Sequence, residues 1–207
     1  MILLQASENI AIDKIHQASN TIEEVLGDLL TDIVPAYDSI AAFTRLDLNS
    51  FINKLENCKL EDLDEFSKPT IYKIPICYEY GVDLRKISDY VGFSTEQVIK
   101  LHLQGTYRAL FVGFTPGFIY ADGLDPKLAC PRKESPRVKI EAGSIGIAGG
   151  QTGIYSLVSP GGWNIIGKTP MKIFDLQKKP PMVIGVGATY RFERITIDEF
   201  SAWGQSE

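Results

Sequence analysis

The sequence predicts an α+β chain of two domains: a small split-βαβ (ferredoxin-like) domain over residues 1–80, then a closed or nearly closed β-barrel over residues 81–207. Three observations carry this reading. Apolar residues in the first third alternate between strand and helix periodicity in the order βαββαβ. The texture changes between residues 78 and 83. Beyond two short helical segments, apolar runs are punctuated by glycine and proline with no helical pattern between them, which suits a barrel better than a parallel sheet, whose strands need helical crossovers.

Taken in order, Ile2-Leu3-Leu4 reads as a strand, and Ile15, Ala18, Ile22, Val25 and Leu26 recur at helical spacing. Ile33-Val34 and Ser39 to Phe43 flank the turn-rich Pro35-Ala36-Tyr37-Asp38, the pattern of a hairpin. Leu48, Phe51, Ile52 and Leu55 give a second short helix, and polar Glu61 to Lys68 a linker into a strand from Ile71 to Cys77. Helices follow over Leu84–Tyr90 and Thr95–Leu103, parted by Gly92, with Ser94 and Gln97 spaced as a capping box. Strands are expected at Ala109–Phe111, Ser144–Ile147, Tyr155–Val158, Met171–Phe174 and Tyr190–Phe192.

Composition narrows the function. At 207 residues and 44% hydrophobic, the chain can bury one good-sized core or two small ones. A formal charge of -5 leaves no basic excess for nucleic acid or an anionic membrane surface. No stretch reaches the ~18 apolar residues of a membrane span, and the start from Met1 lacks a cationic leader, so the expected location is the cytoplasm. Cys58, Cys77 and Cys130 form no C-x-x-C, and His16 and His102 lack a second histidine four residues away, so no metal is expected.

The most distinctive segment is Gly113-Phe114-Thr115-Pro116-Gly117-Phe118-Ile119-Tyr120. Pro116 and Gly117 can fix a turn that presents Phe114, Phe118 and Tyr120 as an aromatic wall, or else the rings plug a barrel corner. A second cluster, from Gly143 through Gly150, Gln151, Thr152 and Tyr155 to Gly161-Gly162-Trp163-Asn164, frames polar side chains with glycines that permit close backbone approach. Arg137 follows Pro136, where its planar fork suits a carboxylate or phosphate; Arg132 and Lys133 read better as a solvated turn. His102, near the end of a helix, is the one candidate proton carrier. Gly162 to Thr169 matches G-x-x-x-x-G-K-[ST], yet Pro170 and a strand-like continuation exclude the helix that a phosphate loop requires.

Ile74-Pro75-Ile76-Cys77-Tyr78, His102 with Tyr107, Gly113-Phe-x-Pro-Gly-Phe-x-Tyr120, Pro131-Arg132 with Pro136-Arg137, Ala142 through Tyr155, and Ser159-Pro-Gly-Gly-Trp163 together resemble the allophanate hydrolase subunit 1 family. That family includes the B subunit of 5-oxoprolinase and the sporulation-kinase inhibitor KipI. The resemblance, dense from about residue 71 to 176, implies a cyclophilin-like barrel for the second domain. It also implies work with partner subunits A and C of 5-oxoprolinase to convert 5-oxo-L-proline, ATP and water to L-glutamate, ADP and phosphate. ATP is then a co-substrate of the complex, with no cofactor held by this chain. A histidine kinase is the alternative partner and allophanate chemistry the alternative reaction. The substrate or partner face is expected where Phe114, Pro116, Gly117, Phe118, Tyr120, Arg137, Gly150, Gln151, Thr152, Tyr155, Gly161, Gly162, Trp163 and Asn164 converge. Two departures stand out: Thr115 replaces the usual leucine of the aromatic loop, and Lys168 the usual arginine.

Overall fold

The structure, a computed structural model, describes residues 1–6, 12–56 and 71–203, which fall into two units, Met1–Lys68 and Pro69–Glu207. The expected linker from Glu61 to Lys68 and Cys58 lie outside the described residues.

The first unit runs β1 (Ile2–Gln5), α1 (Ile12–Leu26), β2 (Leu30–Pro35), β3 (Ser39–Thr44) and α2 (Leu48–Leu55). Its strands form an antiparallel sheet in the order β1-β3-β2, with Ile2 opposite Ala42 and Pro35 opposite Ile40. The stripe of α1 buries Ile15, Ile22 and Leu26 against Ile40, Ala42 and Phe51. Val25, expected on that stripe, is 49% exposed; His16 and Ser19 are buried instead. Helix α2 starts where the Asp47 carboxylate accepts from the Ser50 amide at 3.0 Å, satisfying one of the free N–H groups of its first turn.

The second unit contains β4 (Ile71–Ile76), α3 (Leu84–Val91), α4 (Thr95–Gln104), β5 (Tyr107–Val112), β6 (Ile119–Asp122), β7 (Arg137–Ile140), β8 (Ser144–Ala148), β9 (Gln151–Ile154), β10 (Ser159–Gly161), β11 (Asn164–Lys168), β12 (Thr189–Arg194) and α5 (Ile197–Trp203). Seven strands make one sheet in the order β11-β8-β9-β6-β5-β12-β4, while β10 and β7 form a separate ladder. Strand β4 runs parallel to β12, Thr189 facing Ile71 and Arg194 facing Ile76. The sheet curls until its edges meet: Cys77, just past β4, and Lys168, at the end of β11, exchange backbone hydrogen bonds of 2.8 and 3.0 Å. The concave side is filled by Ile76, Tyr107, Ile119, Ile145, Ile154 and Tyr190, all fully buried. Ser94 and Gln97 form the expected capping box on α4.

Three expectations need correction. Strand β4, assigned by its sequence position to the first domain, pairs with β12 and falls in the second unit, so the units divide at Lys68/Pro69, and the described residues of the first unit hold three strands where a split-βαβ sheet has four. The run Tyr155–Val158 is not a strand, because the Gly149-Gly150 turn sets Ala148 opposite Gln151 and so places β9 ahead of the apolar run. Met171–Phe174 makes only one bridge, Phe174 to Met182, since Pro170, Pro180 and Pro181 deny the segment ladder donors.

The placement of β4 generates a test. A fragment of residues 69–207 should unfold cooperatively in a thermal melt followed by circular dichroism. A fragment of residues 81–207, lacking buried Ile74, Ile76 and Tyr78, should melt at least about 10 °C lower or fail to fold, since removing several fully buried side chains forfeits roughly 2–5 kcal/mol each.

Candidate functional site

A single buried carboxylate organises one side of the second unit. Asp83 precedes α3, and its side chain does not cap that helix. Arg137, at the start of β7, grips it with both terminal nitrogens, Nη1 to Oδ2 at 2.6 Å and Nη2 to Oδ1 at 2.7 Å. Lys133 Nζ donates to Oδ1 at 3.2 Å, and the Ile165 amide of β11 to Oδ2 at 2.8 Å. Burial alone would raise the Asp83 carboxyl, but the bonds from Arg137, Ile165 and Lys133 outweigh it and hold the group below the usual carboxylate range. Arg137, expected to face a ligand, thus has its fork engaged within the chain. Sequence reasoning misses Asp83 because a lone acid ahead of a helix reads as an N-cap, and the pairing spans more than fifty residues.

His102 sits inside the barrel, fully buried, its ring stacked 4.7 Å from Phe192. Burial drives it down to about 3, so the imidazole is neutral. Thr152 donates its hydroxyl hydrogen to the Gly146 carbonyl at 3.1 Å, which turns its lone pairs toward His102 Nε2 at 3.5 Å. Nε2 therefore carries the proton, and Nδ1 accepts from Tyr78 Oη at 2.7 Å. This is a core histidine with satisfied neighbours, closed to solvent.

The aromatic loop folds as two tight turns. Thr115 N donates to Gly113 O at 2.7 Å across Phe114, whose φ of 65° makes this a γ-turn of the strained kind. Phe118 N donates to Thr115 O at 3.0 Å, with Pro116 and Gly117 in the central positions of a β-turn and Gly117 at φ 75°. The rings pack edge to face: Phe118 lies 4.8 Å from Tyr155 and 5.5 Å from Trp163, and Tyr120 5.7 Å from Trp163. Phe118, Tyr155 and Trp163 are buried, so the expected wall is mainly a second small core; Phe114 alone of the set is exposed, at 60%.

The remaining candidates separate. Gly161 is required by packing, because a Cβ there would lie 2.3 Å from Tyr155 Oη, whereas Gly150 and Gly162 have room. Gln151 opens β9, and Asn164 Nδ2 donates to the Pro131 carbonyl at 2.8 Å. The phosphate-loop letters fall on β11, whose residues pair with β8. No group of three or more metal-ligating side chains occurs among the described residues.

The family model for the carboxyltransferase domain, subdomain C and D, matches residues 2–184, and the chain belongs to that family. Within it, the chain is 35% identical over 205 residues to the 5-oxoprolinase B subunit of Bacillus subtilis (strain 168), covering 91% of this chain and 85% of that protein. It is 41% identical over 122 residues to the 5-oxoprolinase B subunit of Escherichia coli O157:H7, covering 58% of this chain and 56% of the other. Among solved structures, TTHA0988 superposes with a TM-score of 0.81 at 32% identity, over 94% of this chain but only 40% of that one.

Two pH-linked outcomes follow. His102 has a depressed folded-state value, so its contribution to stability is complete above an unfolded value near ~6.5 and is lost as pH falls toward about 3. Unfolding free energy should decline between pH 6.5 and 4 with a slope approaching about 1.4 kcal/mol per pH unit, and His102→Gln should flatten that slope in denaturant titrations. Asp83→Asn should destabilise the chain by about 2–4 kcal/mol at neutral pH, because it leaves Arg137 half-buried without its counter-charge, and the difference from the parent should shrink below about pH 4.

Proposed function

We propose that the chain is the B subunit of an ATP-dependent 5-oxoprolinase, which with subunits A and C opens 5-oxo-L-proline to L-glutamate while ATP becomes ADP and phosphate. The observation that carries this is the 35% identity over 205 residues to a 5-oxoprolinase B subunit, covering most of both chains. A five-membered lactam is a poor electrophile. Transfer of phosphate to its oxygen creates a leaving group, and a site for that step needs donors aimed at developing charge and a pocket closed to stray water.

The chain acts in the complex rather than alone. In support, its one phosphate-loop-like run forms a strand, and its one histidine at the predicted site is sealed in the core. ATP is a co-substrate of the assembly. The curled sheet with edges joined at Cys77 and Lys168 supports a cyclophilin-like barrel for the second unit. The assembly works in the cytoplasm; among the described residues, no helix is long and apolar enough to cross a membrane.

The partner face lies at the Gly113–Phe118 loop and the turn at Gly161 to Asn164. Phe114 supports this: its ring meets Phe118 and Tyr155 edge to face at 5.6 and 6.5 Å, yet it stays 60% exposed at a positive φ, a strained arrangement that leaves most of the ring open to a partner.

The purified chain should neither hydrolyse ATP nor open 5-oxo-L-proline, and glutamate should form, dependent on ATP, once subunits A and C are added. A complex that assembles but makes no glutamate would refute the assignment. Phe114→Gly should relieve about 1 kcal/mol of strain, so the melting temperature holds or rises while co-purification with the C subunit weakens.

A further inference from the structure

A cleft of about 490 Å³ opens between α3 and the Pro131–Ser135 loop, within the range of small-molecule sites. Of the residues expected at the functional face, it contains Asn164 and none of the aromatic loop. Lys86, Arg132 and Lys133 line it, against one carboxylate, Glu134. Lys86 and Arg132 make no ion pair among the described residues. Lys133 is only 18% exposed and shares Asp83 with Arg137, so two cations meet one buried carboxylate and the group keeps a positive charge. In a chain of net charge -5, a lining of three cations and one carboxylate is a local reversal of sign. The excess charge on the Asp83, Arg137 and Lys133 group is partly desolvated, which is costly unless an anion relieves it.

The rest of the lining narrows the ligand. The Asn164 amide nitrogen faces the carbonyls of Pro131 and Ile147, at 2.8 and 3.4 Å, which fixes its orientation and leaves the side-chain oxygen as an acceptor. Exposed Tyr90 and Pro131 add apolar surface. We propose that this cleft binds a small oxyanion, a carboxylate or a phosphate group, held by Lys86, Arg132 and Lys133, with Asn164 accepting from any N–H beside it. The site follows from geometry and charge alone and does not depend on assembly with other subunits.

Isothermal titration of the full chain with 5-oxo-L-proline and, separately, with inorganic phosphate tests this. At least one should bind, more weakly as salt rises, and which one binds identifies the source of the oxyanion. The double variant Lys86→Gln/Arg132→Gln, both at exposed positions, should weaken binding at least tenfold at unchanged melting temperature; Lys139→Gln, on an exposed residue paired with Glu141, should leave it within twofold. Binding of neither anion, or equal binding by parent and double variant, overturns the proposal. A complex with subunits A and C that makes glutamate while the cleft variants bind normally would refute this site and leave the assignment to 5-oxoprolinase standing.

Discussion

The Asp83 carboxylate is the constraint on which one side of the second unit depends. It joins elements that share no ladder: the start of α3, the turn carrying Lys133, the first residue of β7 and the backbone of β11. Its own amide returns a bond to the Ile165 carbonyl at 2.9 Å, so helix and strand are tied in both directions. An ionised group at this depth persists because four donors surround it, and the same arrangement dictates where the cationic loop must lie. The cleft above that loop is a consequence of the buried pair.

The aromatic loop follows a different logic. Phe118, Tyr155 and Trp163 fill a space beside the main core in edge-to-face contact, and the glycines at 117 and 161 exist because Phe174 and Tyr155 leave no room for a side chain. Packing, rather than ligand contact, accounts for most of the residues that make this segment conspicuous. Phe114 is the exception, and it is the one whose backbone is strained.

Local pattern made much of the fold legible. The helices at Leu84 and Thr95, the hairpin around Pro35 and the strand at Tyr190 all lie where periodicity and turn chemistry placed them. What eluded the sequence was non-local. Strand β4 has the same apolar alternation whichever sheet receives it, so its partner could not be read from its residues. Arg137 was picked out by type and setting, but whether its fork meets a ligand or an internal acid depends on a residue more than fifty positions away. His102 looks the same in sequence whether it lines a surface or stacks on Phe192.

The parallel pairing of β4 with β12 also governs how the chain can be made. The two strands are more than a hundred residues apart. On the ribosome, β4 emerges with Ile74 and Ile76 uncovered and waits for a partner translated more than a hundred residues later. The second unit therefore cannot close until β12 has emerged. During that interval its apolar edge is open to chaperones and to the matching edge of a neighbouring nascent chain, a hazard set by strand order rather than by stability.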